Sequence, residues 1–210
     1  MAKLILARHG ETAWNVERIF RGRADVNLDE VGIKQAELLG RYFGNWKLEA
    51  IYSSPVKRAL DTANIVARYQ KIGVHVAEGL IDFDYGEWQS LSEQEVKKLY
   101  PALLNEWHNN PHKVRVPGGE SLEDVRMRAT EVVNDVVSEY QGSVLLVSHR
   151  VVIKVLICSL LGLDNSHFWD VNLNVGGITI FNYVDRRFVL TRYNDTSHLK
   201  GLQRSVLGDF

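Results

Sequence analysis

The chain has 210 residues, 45% of them apolar, with 25 lysines and arginines against 26 aspartates and glutamates. That length suits one domain, taken here as 1–210, and the charge balance excludes a generally basic binder of nucleic acid or membrane surfaces. A lone cysteine, Cys158, excludes an internal disulfide, and no stretch reaches the length of a membrane span or a secretory apolar core, so a cytoplasmic protein is expected.

In chain order, KLILA (3–7) reads as a buried strand. Asp29 caps a helix running to about Phe43, with Ile33, Ala36, Leu39 and Phe43 on one face and Gly44 as its stop. LEAIYSS (48–54) is strand-like, and Ser54-Pro55 supplies an N-cap and a proline at the first helical position for a helix to about Tyr69. VHVAE (74–78) is a third strand candidate. Residues 79–119 hold Trp88, Trp107 and three of the four prolines with little periodicity; they read as an insertion of short helices and loops covering a site. Ser121-x-x-Asp124 then opens a helix with Leu122, Val125, Ala129, Val132, Val136 and Tyr140 on one face. SVLLVSH (143–149) is a continuous apolar strand, VVIKVLICSLLG (151–162) a mostly buried helix. ITIFNYV (178–184) and FVLTRYN (188–194) form a hairpin turning at 185–187. Strands alternating with helices predict a three-layer α/β/α sandwich with a mostly parallel central sheet and an antiparallel edge.

In such a sheet, ligands gather at the carboxyl ends of the strands. Three strands end there in similar chemistry: the first in Arg8, His9 and Gly10, the second in Ser53-Ser54 with Arg58 one turn later, and the strand at 143–148 in Ser148, His149 and Arg150. Guanidinium groups together with helix N-termini select an anion, and phosphate is the anion that arginine grips through two oxygens at once. A neutral imidazole attacks phosphorus and carries the phosphoryl group covalently, arginines stabilise the equatorial oxygens, and a carboxylic acid protonates the leaving oxygen. No step needs a metal or another cofactor.

The stretches LARHGETAWN (6–15), IYSSPVKRALDTA (51–63), FDYGEW (83–88), PGGES (117–121) and VLLVSH (144–149) resemble the histidine phosphatase superfamily, in its phosphoglycerate-mutase-like branch. The resemblance implies that fold and assigns roles by position. His9 matches the phosphorylated nucleophile, Arg8, Arg58 and His149 the rest of the phosphate pocket, and Asn15 a further phosphate contact. The family's proton donor, usually glutamate, falls on Asp82, with Asp84 as its rival and Glu87 a weaker one. Two other positions depart from the family pattern: Arg150 follows the second histidine where glycine is common, and Arg21 stands near the entrance. Arg21, Asp84, Tyr85 and Arg150 are therefore the candidates for substrate specificity.

The branch contains both phosphatases and mutases. The compact 79–119 segment favours hydrolysis of a small phosphorylated metabolite. PHKVRVPGGESL and NDTSHL are similar to metal-independent phosphoserine phosphatases, whereas Tyr85 stands where that group is expected to carry histidine. A cofactor-dependent phosphoglycerate mutase and a non-catalytic phosphate binder are the alternatives. His108 and His112 share a metal-ligand spacing, but Pro111 lies between them and no further ligand pattern accompanies them, so no metal is expected. A homodimer is left open by Phe168 and Trp169, read as exposed aromatics.

Overall fold

The structure, a computed structural model, describes residues 2–17 and 19–202. Six strands form one sheet: β1 (Ala2–Arg8), β2 (Leu48–Ser53), β3 (His75–Val76), β4 (Ser143–Ser148), β5 (Ile178–Val184) and β6 (Arg187–Asp195), in the order β3-β2-β4-β1-β5-β6. β3, β2, β4 and β1 run parallel, and β5 and β6 add the antiparallel edge. β1 and β4 sit centrally and are covered on both faces, which is why both read as unbroken apolar runs. Their alternate side chains serve two cores. Leu4, Leu6, Val144 and Leu146 point to one face, and Ile5, Ala7, Leu145 and Val147 to the other.

On the second of these faces lie α2 (Glu30–Phe43) and α3 (Lys57–Gln70), packed on each other; the short α1 (Ala13–Val16) precedes them in the chain. The side chain of Asp29 caps α2 by accepting from Gly32 N at 2.8 Å. Ala36, Leu39 and Phe43 are buried as expected, but Ile33 is exposed, and glycines at 32 and 40 take up the buried stripe instead. Gly32 backs onto the loop after β1 so closely that a Cβ on Gly10 would lie 2.4 Å from the Gly32 carbonyl oxygen. α3 starts at Lys57, two residues later than the Ser54-Pro55 signal implies. Ser54 Oγ does accept from the next turn, from Val56 N at 3.2 Å, but it is also 2.7 Å from His149 Nε2, so the residue belongs to the site as much as to the helix.

The first face carries α6 (Leu122–Glu139) against α7 (Arg150–Leu160), together with the 79–119 segment and its two helices, α4 (Glu93–Leu99) and α5 (Pro101–Asn109). Ser121 and Asp124 form the expected reciprocal cap of α6. On that helix Val133 is fully buried and Val132 only partly. The strand foreseen at 74–78 shrinks to His75–Val76, both exposed, paired with Tyr52 and Ser53. The hairpin turns on Asp185 and Arg186, both with positive φ (50° and 61°), the geometry whose twist suits a two-residue turn, so that Arg187 already pairs with Val184.

Cys158 is buried. Phe168 is buried too, within the first core beside Trp107, so it does not form the exposed aromatic face on which a dimer was considered. Among the described residues no helix is long and apolar enough to cross a membrane.

Candidate active site

The parallel register places the ends of β1 and β4 side by side, with Arg8 opposite Ser148. One more ladder bond, His9 N to Ser148 O at 3.1 Å, carries the alignment past the last strand residue. His9 and His149 therefore leave the sheet together, their ring centroids 5.2 Å apart and both side chains buried. His9 Nδ1 is 2.7 Å from the carbonyl oxygen of Gly10. A carbonyl can only accept, so Nδ1 carries the proton and Nε2 presents a lone pair. Burial, then the positive charges of Arg58, Arg8 and Arg21, hold the His9 pKa well below its ordinary 6.5. The imidazole is thus neutral at pH 7 and nucleophilic at Nε2.

The cations around it are fixed by backbone carbonyls. Arg8 Nη1 donates to Leu173 O at 2.6 Å. Arg58, wholly buried at the start of α3, donates from Nη1 to Ala24 O (2.8 Å) and from Nη2 to Gly22 O (2.7 Å) and Asp82 Oδ2 (2.7 Å). Thr62, one turn on, accepts from Gly10 N at 3.2 Å and donates to Arg58 O at 2.8 Å, tying α3 to the His9 loop. Asp82 Oδ2 also lies 3.4 Å from His149 Nδ1. A carboxylate at that distance favours a proton on Nδ1, leaving His149 Nε2 to accept from the Ser54 hydroxyl. Burial and the same arginines keep His149 neutral as well.

Beside this pocket a cleft is lined by Arg21, Asp82, Tyr85 and Arg150, with Phe20 and Val151 behind them. Arg21 donates to Trp14 O at 3.0 Å, and burial, with repulsion from Arg8 and Arg58 and a counteracting pull from Asp82, lowers its pKa to about 9. Arg150 is buried, hydrogen-bonded to the Tyr85 phenol, with its guanidinium 5.8 Å from the centre of the Trp169 ring. Burial raises the Tyr85 pKa and keeps the phenol protonated.

The structure therefore gathers Arg8, His9, Arg58, Asp82 and His149 at one point, with Arg21, Tyr85 and Arg150 on an adjoining wall. Asn15 is buried on α1, where its amide oxygen accepts from Thr12 N (3.0 Å) and Thr12 Oγ1 (2.8 Å), so its NH₂ is the group left for another partner. Asp84 turns elsewhere: its carboxylate meets Arg23 Nη1 at 3.2 Å and Gly86 N at 2.9 Å. Glu87 pairs with the Tyr100 hydroxyl at 2.5 Å. Ser54, read both as a strand-end residue of this edge and as a helix cap, meets His149. Two residues that brace the backbone around the site from outside carried no such role in the sequence: Glu120 sat unassigned within PGGES, and Arg128 occupied an ordinary charged position on a helix. Of the two histidines with metal spacing, His108 pairs with Glu93 at 3.6 Å. Among the described residues no group of three or more His, Cys, Asp or Glu is placed to hold a metal ion.

The model of the histidine phosphatase superfamily (branch 1) matches residues 4–196. Phosphoserine phosphatase 1 of Hydrogenobacter thermophilus is 36% identical over 200 residues, spanning 95% of each chain. Among solved structures, Bacillus stearothermophilus YhfR superposes with a TM-score of 0.91 at 33% identity, covering 95% of this chain and 100% of that one. A histidine-to-alanine variant of Entamoeba histolytica phosphoserine phosphatase, in complex with phosphoserine, superposes with a TM-score of 0.85 at 30% identity, covering 95% and 100%. With the paired strand-end histidines and their arginines set in the same fold, the chain belongs to the histidine phosphatase superfamily, branch 1, and is a phosphatase of the phosphomonoesterase type.

Proposed function

We propose that the protein hydrolyses a small phosphomonoester through a phosphohistidine at His9, without a metal ion, with Asp82 as the proton donor. The observation that carries this reading is the neutral His9 ring, its Nδ1 proton fixed on the Gly10 carbonyl and its Nε2 lone pair set among Arg8, Arg58 and Arg21. The substrate phosphoryl group lies between these arginines, beside His149 and with the Asn15 amide as a further donor. His9 Nε2 attacks phosphorus, the P–O ester bond breaks, and the leaving oxygen takes from Asp82 the proton that its carboxylate accepts from the phosphate monoanion as the bound phosphate displaces it from Arg58. Water then attacks the phosphohistidine and yields a proton to the Asp82 carboxylate, and the P–N bond breaks to release phosphate. Asp82 suits the role better than Asp84: its carboxyl lies between Arg58 and His149, whereas the Asp84 carboxyl is engaged by Arg23.

Residues 79–119 cover the site within a single domain, supplying Asp82 and Tyr85 to its wall. Arg21, Tyr85 and Arg150 select a substrate bearing a second acidic group beside its phosphate. Relatives named phosphoserine phosphatase support a small amino-acid or organic-acid ester. The balanced charge and the single buried cysteine support a metabolite partner, not nucleic acid or membrane, in a reducing cytoplasm.

Incubation with an aryl phosphate in EDTA tests the reading: steady phosphate release is expected. Conversion of 3-phosphoglycerate to 2-phosphoglycerate in the presence of 2,3-bisphosphoglycerate, with little free phosphate, would mark a mutase instead. Vanadate binding without any turnover would mark a binding protein.

A further inference from the structure

The backbone that presents Asp82 is held from outside the phosphate pocket. Arg128, in the second turn of α6, donates from Nη1 to Gly79 O (2.8 Å) and Ile81 O (2.6 Å), and from Nη2 to Asp82 O (3.3 Å). Ser148 Oγ donates to Leu80 O at 2.8 Å. Four consecutive carbonyls, 79 to 82, are thus claimed by side chains from α6 and the end of β4. Glu120 fixes Arg128 in turn through Nε (2.9 Å) and Nη2 (3.0 Å), accepts from Asp84 N at 3.0 Å, and meets Arg23 Nη2 at 3.1 Å. Arg23 closes the ring on Asp84. Two guanidinium groups and two carboxylates balance within this ring.

We propose that Arg128, held by Glu120, is a positioning residue that sets how far the Asp82 carboxyl reaches toward the leaving oxygen; this rests on the acid role given to Asp82 above. Aspartate is one methylene shorter than the glutamate usual in the family, so its reach depends on where its backbone is pinned. Pinning three carbonyls and one carboxylate at once takes the planar, many-donor head of arginine, which the point charge of lysine does not reproduce.

The test compares phosphoserine, whose alkoxide leaving group needs a proton, with p-nitrophenyl phosphate, whose phenolate does not. Arg128→Lys and Glu120→Gln are assayed with Asp82→Asn and the double variant Asp82→Asn/Arg128→Lys, folding being checked by circular dichroism. In both clamp variants kcat on phosphoserine should fall about tenfold or more, within the range general acid catalysis supplies. Turnover of the nitrophenyl ester and vanadate affinity should stay within about twofold. In the Asp82→Asn background, Arg128→Lys should add nothing, since both act through one group. Equal losses on the two esters, or losses that multiply in the double variant, would overturn the proposal. Full phosphoserine turnover by Asp82→Asn would instead strike at the acid assignment itself. A selective loss in Asp82→Asn with none in either clamp variant would overturn the clamp alone.

Discussion

The carboxylate of Asp82 and the guanidinium of Arg58 meet at 2.7 Å, with Arg58 fully buried and Asp82 nearly so. The same Arg58 nitrogen donates to Gly22 O and its neighbour to Ala24 O, so one side chain joins the proposed acid, the loop at 22–24 and the start of α3. Removing one partner of a buried ion pair leaves the other charge uncompensated, at a cost of about 3 kcal/mol or more. Arg58→Ala should therefore lower stability by about that much in urea denaturation. It should also lower kcat/KM on any phosphomonoester at least about 100-fold. Arg58→Lys should recover the fold better than the rate, because one ammonium cannot span three acceptors.

The hydrogen bond from His9 to the Gly10 carbonyl fixes the tautomer. Imidazole ¹⁵N NMR should show His9 as the Nδ1–H form, still neutral at pH 6, where an ordinary histidine is mostly protonated. Titration near 6.5, or an Nε2–H tautomer, would remove the nucleophile from the scheme.

Stability should fall as the pH drops from 6.5. His9, His149 and His198 all have folded pKa values below the unfolded 6.5, that of His198 at about 4 because of burial. Above pH 6.5 both states hold these rings neutral and the fold keeps its full stability. Below it the unfolded chain takes up protons that the fold refuses, so stability declines by at most about 1.4 kcal/mol per pH unit for each proton. Acids with depressed values, such as Asp124 at about 2 through its bonds to Ser121 and Arg115, and Glu95 through its bonds to Ser92, act only below about pH 5. The window from 6.5 to 5 therefore belongs to histidine. His198, whose ring centre is 5.5 Å from that of Tyr42, allows a separate check: His198→Phe should flatten the slope of urea midpoint against pH. An unchanged midpoint from pH 7 to 5 in the parent protein would contradict the assignment.

Arg150 should discriminate among substrates. Arg150→Gly is expected to raise KM for phosphoserine about tenfold, with p-nitrophenyl phosphate altered less than about twofold, because the aryl ester offers no second acidic group. A panel of esters ranked by kcat/KM in both proteins reads this directly.

The fold and the convergence of Arg8, His9, Arg58 and His149 in the candidate site were largely legible because both depend on short-range patterns. Continuous apolar runs marked the central strands, and the residues ending them marked the site. Positions set by long-range geometry were not legible. Ile33 fits the helical stripe of α2, yet Gly32 takes the buried side because the loop at Gly10 passes there too closely for a Cβ. Ser54 reads as a strand-end residue and a cap, but its bond to His149 links residues 95 apart in the chain. Arg128 reads as a surface charge on α6 and becomes meaningful only once the carbonyls of 79, 81 and 82 fold against it. Phe168 carried no sign that Trp107 would cover it.

The most direct measurement is a rapid alkaline quench during turnover of ³²P-labelled substrate, followed by peptide mapping of the acid-labile label. The account predicts phosphate bonded to Nε2 of His9, with labelling and hydrolysis both abolished in His9→Ala. A label on another residue, the absence of any covalent intermediate, or full hydrolytic rates in His9→Ala would contradict it.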